Sequence, residues 1–449
     1  KVNNEDKVEE ISPQEEVVEV KEETIKDAEK KLHLSQESEN APANFILYHR
    51  PGSEVFMSSL HPAASLYEDT TDELSIAESY RHLKEVLSKR NINFVSVYEA
   101  LAKDRTTLEK LAFDSLKYVV LDDSDVPESP FPELSAQKFK YYSSDEYKRE
   151  VISHLWEKQL IDIIVTQPTI KLKRTASNTY IETRDISFAP LGNLVFCRDQ
   201  QITTRKGVVI GRLRSSQRAF ETTVMTQAYK NLHANVVGKI PEGGFLEGGD
   251  FFVAKPDLSM CGVGLRSTMS SMNYLMENDL LGTDRFAVVY DEDDLDQQRM
   301  HLDTYFNILS NKYVVCLDFD ETAKITHKKI QRKVFLYSRK VAKGIDSGKE
   351  GVSSKVGDYY LAKVYESFYD FLAEEGYEVI KITYQEQVDY MINFLNIGNN
   401  TVLTVNRYLK DKVKHTGVNV IFIEFAPVMK MYGAMHCATQ VSRTDVETK

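Results

Sequence analysis

At 449 residues, 42% of them hydrophobic, the chain has enough apolar content for a large folded body and too much for a mainly disordered one. Its formal net charge of −12 argues against a nucleic-acid partner, whose binding draws affinity from clustered Lys and Arg. No apolar run approaches the roughly 18 residues needed to cross a bilayer, so no membrane partner is expected.

Residues 1–43 are dense in Glu and Lys and poor in aromatics, which predicts an acidic disordered tail. Folded sequence is expected over 44–449, starting with the apolar strand Asn44-Phe45-Ile46-Leu47-Tyr48 and the turn His49-Arg50-Pro51-Gly52. Ile76, Tyr80, Leu83 and Val86-Leu87 recur at helical spacing, and Phe94-Val95-Ser96-Val97 reads as a strand. The charged, periodic stretch from about 100 to 175 lacks strong strand signals and reads as a helical insertion.

Beyond it the texture changes to hairpins, each followed by an amphipathic helix and another strand. Leu194 to Asp199 pairs with Val208 to Leu213, ahead of a helix over Thr222 to Leu232. Phe251 to Ala254 pairs with Gly262 to Leu265, ahead of a helix over Thr268 to Leu281. His301 to Leu309 pairs with Tyr313 to Asp318, and Thr401 to Asn406 leads through a helix to Val418 to Phe425. Recurrent β-β-α-β units suggest a closed, pseudo-repeated α/β architecture.

Four cysteines, Cys197, Cys261, Cys316 and Cys437, show neither a CxxC pair nor Cys/His ligand spacing, which disfavours a zinc site or disulfide framework. A reducing compartment, the cytoplasm, is the default, although the chain begins with Lys1 and a removed leader would leave no trace. Three of the cysteines sit in apolar, strand-like runs and read as packing residues. Cys437 stands apart among small residues, in Gly433-Ala434-Met435-His436-Cys437-Ala438-Thr439-Gln440, where a reactive thiol could be reached.

His301-Leu302-Asp303 in an extended run would project an imidazole and a carboxylate to one face, about 6.6 Å apart. Leu246-Glu247-Gly248-Gly249-Asp250 sets two acids around two glycines, which allow close approach of a ligand or another chain segment. Each has a bland reading as well, a polar strand edge and a solvated turn. Arg218 and Arg266 would be dismissed singly as surface cations.

Together, Gly192-Asn193-Leu194-Val195-Phe196-Cys197-Arg198-Asp199, Glu247-Gly248-Gly249-Asp250, Gly264-Leu265-Arg266-Ser267-Thr268, Met300-His301-Leu302-Asp303-Thr304 and His436-Cys437-Ala438-Thr439-Gln440 resemble the guanidino-group modifying superfamily. Within it they resemble the arginine deiminase family, and His49-Arg50-Pro51-Gly52 is similar to that family's opening motif. Gln200-Gln201 and Gly207-Val208-Val209-Ile210-Gly211-Arg212 look closer to archaeal-type deiminases.

The resemblance implies a five-bladed, pseudo-symmetric α/β propeller of ββαβ units with a helical insertion. It also implies hydrolysis of L-arginine to L-citrulline and ammonia, without cofactor or metal. Carried onto matching positions, it makes Cys437 the nucleophile and His301 the acid/base. Glu247 becomes the partner of His301, and Asp199 and Asp303 the carboxylates that grip the guanidinium. Arg218 and Arg266 would clamp the substrate α-carboxylate, while Asn193 and Phe196 would line its path. Nearby carboxylates should disfavour a resting thiolate and a bound guanidinium should favour it, so thiol ionisation is expected to be substrate-assisted.

His436 matches the family's residue before the nucleophile and, in an extended segment, would point away from it. Tyr432 and Gly433-Ala434-Met435 depart from the arginine and glycine run of many bacterial members, which affects the loop closing the pocket. Hydrolysis of agmatine or a methylated arginine, amidino transfer and non-catalytic arginine binding stay open, as does a homo-oligomer.

Overall fold

In the computed structural model, which describes residues 31–177, 179–291, 293–340 and 343–443, the strand Phe45–Tyr48 buries all four side chains. Successive side chains of a strand point to opposite faces. Phe45 and Leu47 accordingly enter one apolar cluster, and Ile46 and Tyr48 another. Burial of both faces explains why such strands read as unbroken apolar runs.

Among the described residues five units repeat one topology: an antiparallel pair of strands, a helical connection, and a third strand parallel to the second. The first joins both regions of the chain, with Thr439–Ser442 antiparallel to Phe45–Tyr48, the helix Glu73–Ser88, and Asn93–Ser96. The second has Gln201–Thr203, Val208–Ile210, the helix Glu221–Asn231 and Val236–Lys239. The third has Phe251–Lys255, Leu258–Val263, the helix Met269–Glu277 and Arg285–Tyr290, and its sheet is extended by three further strands. The fourth has Phe306–Ile308, Tyr313–Leu317, the helices Phe319–Thr326 and Phe368–Glu374, and Glu378–Ile382. The fifth has Leu395–Gly398, Thr401–Thr404, the short helix Leu409–Lys412 and Asn419–Phe422.

The apolar clusters lie between consecutive units. Val208 and Ile210 of the second unit face Phe45 and Leu47 of the first, while Val209 turns the other way toward Phe251 and Val253 of the third. Phe252 packs with Phe306 and Val314 of the fourth unit, and Val315 with Phe394 and Val402 of the fifth. Leu395 and Leu403 then pack with Ile46 and Val441, so the fifth unit meets the first.

Several boundaries differ from expectation. Leu194–Asp199 forms turns rather than a strand, because the backbone N–H groups of Leu194, Phe196, Cys197 and Asp199 bond carbonyls two or three residues back and the ladder begins at Gln201. His301–Asp303 is likewise no strand: His301 caps the short 3-10 helix Leu302–Thr304. The leading strand of the fifth unit, Leu395–Gly398, has no counterpart in the sequence reading.

The stretch read as a helical insertion follows the first unit with helices Val97–Ala102, Arg105–Ser115, Pro132–Tyr142, Asp145–Ser153 and Glu157–Thr166. It also contains a sheet of Lys117–Val120, Thr169–Arg174 and Ile181–Ser187, so strands are present where only helices were expected. Most of the predicted acidic tail, residues 1–30, lies outside the described residues. Residues 31–43 are packed rather than disordered: Leu34 and Ala43 are buried in apolar clusters, and Glu39 is buried against Arg443 and His436. Among the described residues no helix is long and apolar enough to cross a membrane.

Candidate active site

Each unit contributes the segment just ahead of its leading strand to one place. Cys437 precedes Thr439–Ser442, Asp199 precedes Gln201–Thr203, and Glu247 to Asp250 precede Phe251–Lys255. His301 to Asp303 precede Phe306–Ile308, and Asn393 precedes Leu395–Gly398. These segments hydrogen-bond in a circuit. Arg198 N–H donates to the Cys437 carbonyl at 3.0 Å, Gly248 N–H to the Asp199 carbonyl at 3.0 Å, and Leu302 N–H to Asp250 Oδ1 at 2.9 Å. Asn393 Nδ2 donates to the Asp303 carbonyl at 3.3 Å, and His436 N–H donates to the Asn393 carbonyl at 3.2 Å.

The circuit fixes the chemistry at its centre. Cys437 is 6% exposed, with Sγ 3.6 Å from Asp303 Oδ2 and 3.2 Å from Asn393 Nδ2. Burial, then the Asp303 and Asp199 carboxylates, push this thiol well above its ordinary range, so the resting sulfur is protonated. His301 Nε2 is 2.6 Å from Glu247 Oε2, and His301 Nδ1 is 3.9 Å from Asp199 Oδ1. Burial alone would lower the His301 pKa, yet Asp199, the Glu247 hydrogen bond and Asp250 raise it. Glu247 is held below its ordinary value, as His301, Arg218 and Arg266 outweigh its burial. The pair is therefore an imidazolium and a carboxylate.

Among the described residues, Asp199 Oδ1, Asp303 Oδ1, His301 Nδ1 and Arg266 Nε at this centre are buried without a hydrogen-bond partner. Such groups are costly unless a ligand meets them. Two carboxylate oxygens beside a protonated thiol suit a planar, donor-only cation. Asp199, Glu247 and His301 also bring ligand atoms within 4.8 Å of one another, a spacing that could hold a metal cation. Nε2 of His301 is already spent on Glu247, which leaves Nδ1 for any ligand.

Every residue selected from the sequence reaches this centre. Asn193, Phe196, Asp199, Arg218, Arg266, His301 and Cys437 line one cavity together with Tyr432 and Met300. Glu247 holds His301, and Asp303 contacts the sulfur. The two arginines are not equivalent. Arg218 is bound to Asp199 Oδ2 at 2.9 Å, to Glu221 at 2.9 Å and to the Asn193 carbonyl at 3.2 Å, whereas the Arg266 side chain hydrogen-bonds Gln297 and Met300.

His436 differs from expectation. The Ala434 to Ala438 segment is a tight turn, not an extended strand, so the His436 ring faces Asp303 and stacks on Phe252. Tyr432 holds a left-handed backbone, φ 72°, in the cavity lining with Cys437. Asn393 and Glu39 are site residues that the sequence reading missed. The signal for Asn393 was its position ahead of a leading strand, as for Cys437 and Asp199.

Residues 66–443 match the family model described as Arginine deiminase. The chain is similar to Arginine deiminase 1 of Staphylococcus epidermidis, 25% identical over 421 residues that cover 90% of this chain and 96% of that one. It is 24% identical to the Arginine deiminase of Metamycoplasma arthritidis over 247 residues, 54% of this chain and 56% of the relative's length. It is 23% identical to the Arginine deiminase of Halobacterium salinarum over 347 residues, 58% of this chain and 65% of that one. With a match spanning most of its length, the chain belongs to the arginine deiminase family of hydrolases acting on amidine C–N bonds.

Proposed function

We propose that the protein hydrolyses L-arginine to L-citrulline and ammonia, on a closed five-bladed propeller whose central pocket is built by the five leading segments. The circuit of hydrogen bonds and the cyclic order of the apolar clusters support that architecture. The observation that carries the reaction is the protonated Cys437 thiol set between two carboxylates with unpartnered oxygens, beside an imidazolium held by Glu247.

Asp199 and Asp303 accept the guanidinium N–H groups and align its central carbon with Sγ. The arriving cation offsets the carboxylate field that keeps the thiol protonated. The thiol proton passes to solvent, where it ends on the released ammonia, the sulfur attacks the carbon to form an S–C bond, and His301 protonates the leaving nitrogen as the C–N bond breaks. A water then gives its proton to His301 and attacks the amidino-thioether. The S–C bond breaks, citrulline leaves and the thiol is restored. Substrate bound to Asp199 displaces Arg218, which then joins Arg266 at the α-carboxylate. That clamp favours arginine over agmatine.

Incubation of wild type and Cys437→Ala with arginine, while following citrulline and ammonia, tests the reading. We expect stoichiometric products from wild type, undiminished by a metal chelator, and none from the variant. Product from Cys437→Ala at the wild-type rate sinks the covalent mechanism, and faster turnover of agmatine or a methylated arginine reassigns the substrate.

A further inference from the structure

Asn393 is the one member of the five-segment circuit to which this mechanism assigns no task. It lies in Met391-Ile392-Asn393-Phe394-Leu395, where its neighbours are buried apolar residues and a carboxamide is costly unless its hydrogen bonds are met. All are met, two of the four by Cys437 itself. Oδ1 accepts the backbone N–H of His436 at 3.1 Å and that of Cys437 at 3.2 Å. Nδ2 donates to Cys437 Sγ at 3.2 Å and to the Asp303 carbonyl at 3.3 Å.

The groups that face Cys437 differ in what they do as its proton leaves. The Asp303 and Asp199 carboxylates disfavour the thiolate. The Tyr390 hydroxyl is bound to Glu68, and the cations His301, Arg218 and Arg266 line the cavity without a hydrogen bond to sulfur. The S–H donates to Asp303 Oδ2 in the resting state, a contact that turns repulsive on ionisation. The Asn393 N–H contact changes in the opposite sense, because a hydrogen bond strengthens when its acceptor acquires charge.

We propose that Asn393 is a positioning residue for the nucleophile, holding the His436–Cys437 backbone through its carbonyl and donating its N–H to the sulfur as the thiolate forms. This rests on the reading of Cys437 as the nucleophile. It also gives the fifth unit a part in the chemistry equivalent to those of the other four.

Asn393→Asp separates positioning from donation, since it keeps an acceptor for the two backbone N–H groups and puts a carboxylate oxygen where the donor stood. Asn393→Ala removes both, and the near-isosteric aspartate carries the test where the alanine variant fails to fold. Three readouts apply: kcat and KM for arginine, the pH profile of Cys437 alkylation by iodoacetamide followed on its own peptide, and the melting temperature. For Asn393→Asp we expect kcat to fall about 10- to 100-fold, the scale of a lost hydrogen bond to a charged group, with KM nearly unchanged. The alkylation profile should move to higher pH at a wild-type melting temperature. A folded aspartate variant that alkylates and turns over like wild type overturns the proposal, and so does a kcat loss with an unmoved alkylation profile. Should wild type not turn over arginine, the functional reading fails, while the alkylation comparison still decides the role of Asn393.

Discussion

His436 Nδ1 lies 2.8 Å from Asp303 Oδ2, so the residue preceding Cys437 in sequence holds one of the two carboxylates that raise the pKa of its thiol. Its other ring nitrogen is 3.3 Å from Glu39 Oε1, and Glu39 is in turn 3.4 Å from Arg443. Burial would raise the Glu39 pKa, but Arg443 and His436 overcome this and bring it down to about 2. His436→Ala removes the link and should lower kcat/KM for arginine about 10- to 100-fold through a misaimed Asp303. Glu39→Ala leaves Arg443 as an unpaired buried charge and should cost about 3–5 kcal/mol in chemical unfolding. Equal stability of wild type and the Glu39 variant would show that this part of the predicted tail is not structural.

The His301–Glu247 pair sets a pH window. The His301 pKa is raised from 6.5, so its contribution to stability is fully present below pH 6.5 and is lost as pH rises through the raised value. The Glu247 pKa is lowered from 4.5, so its contribution is present above pH 4.5 and is lost as pH falls through the lowered value. The melting-temperature gap between wild type and Glu247→Gln should therefore be widest between pH 4.5 and 6.5 and close on the alkaline side. A gap that stays constant from acid to alkaline pH rules the ion pair out.

Gly249 lies against His301. A Cβ there would stand 2.7 Å from His301 Nδ1, closer than such atoms approach, and 3.1 Å from Asp303 Oδ1, a tight contact. Gly249→Ala should displace the imidazole and lower kcat about 100-fold, the scale of a misplacement near 1 Å. Circular dichroism distinguishes this from unfolding, and an alanine variant with wild-type kcat shows that the ring has room to move.

Arg218 and Arg266 should respond differently to removal. Arg218→Ala strands the buried carboxylates Asp199 and Glu221 and should cost about 3–5 kcal/mol of stability along with activity. Arg266→Ala breaks no ion pair and should leave stability close to wild type. It should lower kcat/KM for arginine about 10-fold or more, with agmatine, which has no α-carboxylate, scarcely affected. Equal losses for both substrates would remove Arg266 from the carboxylate end.

The sequence by itself determined the chemical inventory: a cysteine among small residues, a His-x-Asp, a Glu-Gly-Gly-Asp and the arginines, each legible because the residues of a motif adjoin one another. It also determined the ββαβ rhythm, since apolar runs, glycine turns and amphipathic helices are local. Only the tertiary structure decided what these groups do to each other. His301 and Asp303 converge on Cys437 through a 3-10 turn rather than an extended strand, and His436 turns inward because its segment is a turn. Asn393 is 44 residues from the sulfur it contacts, and Glu39 is 397 residues from the ring it faces. Neither belongs to a motif with its partner. Hydrogen bonds between separate units have no period along the chain, and they form only when packing of the five sheets brings their leading segments together.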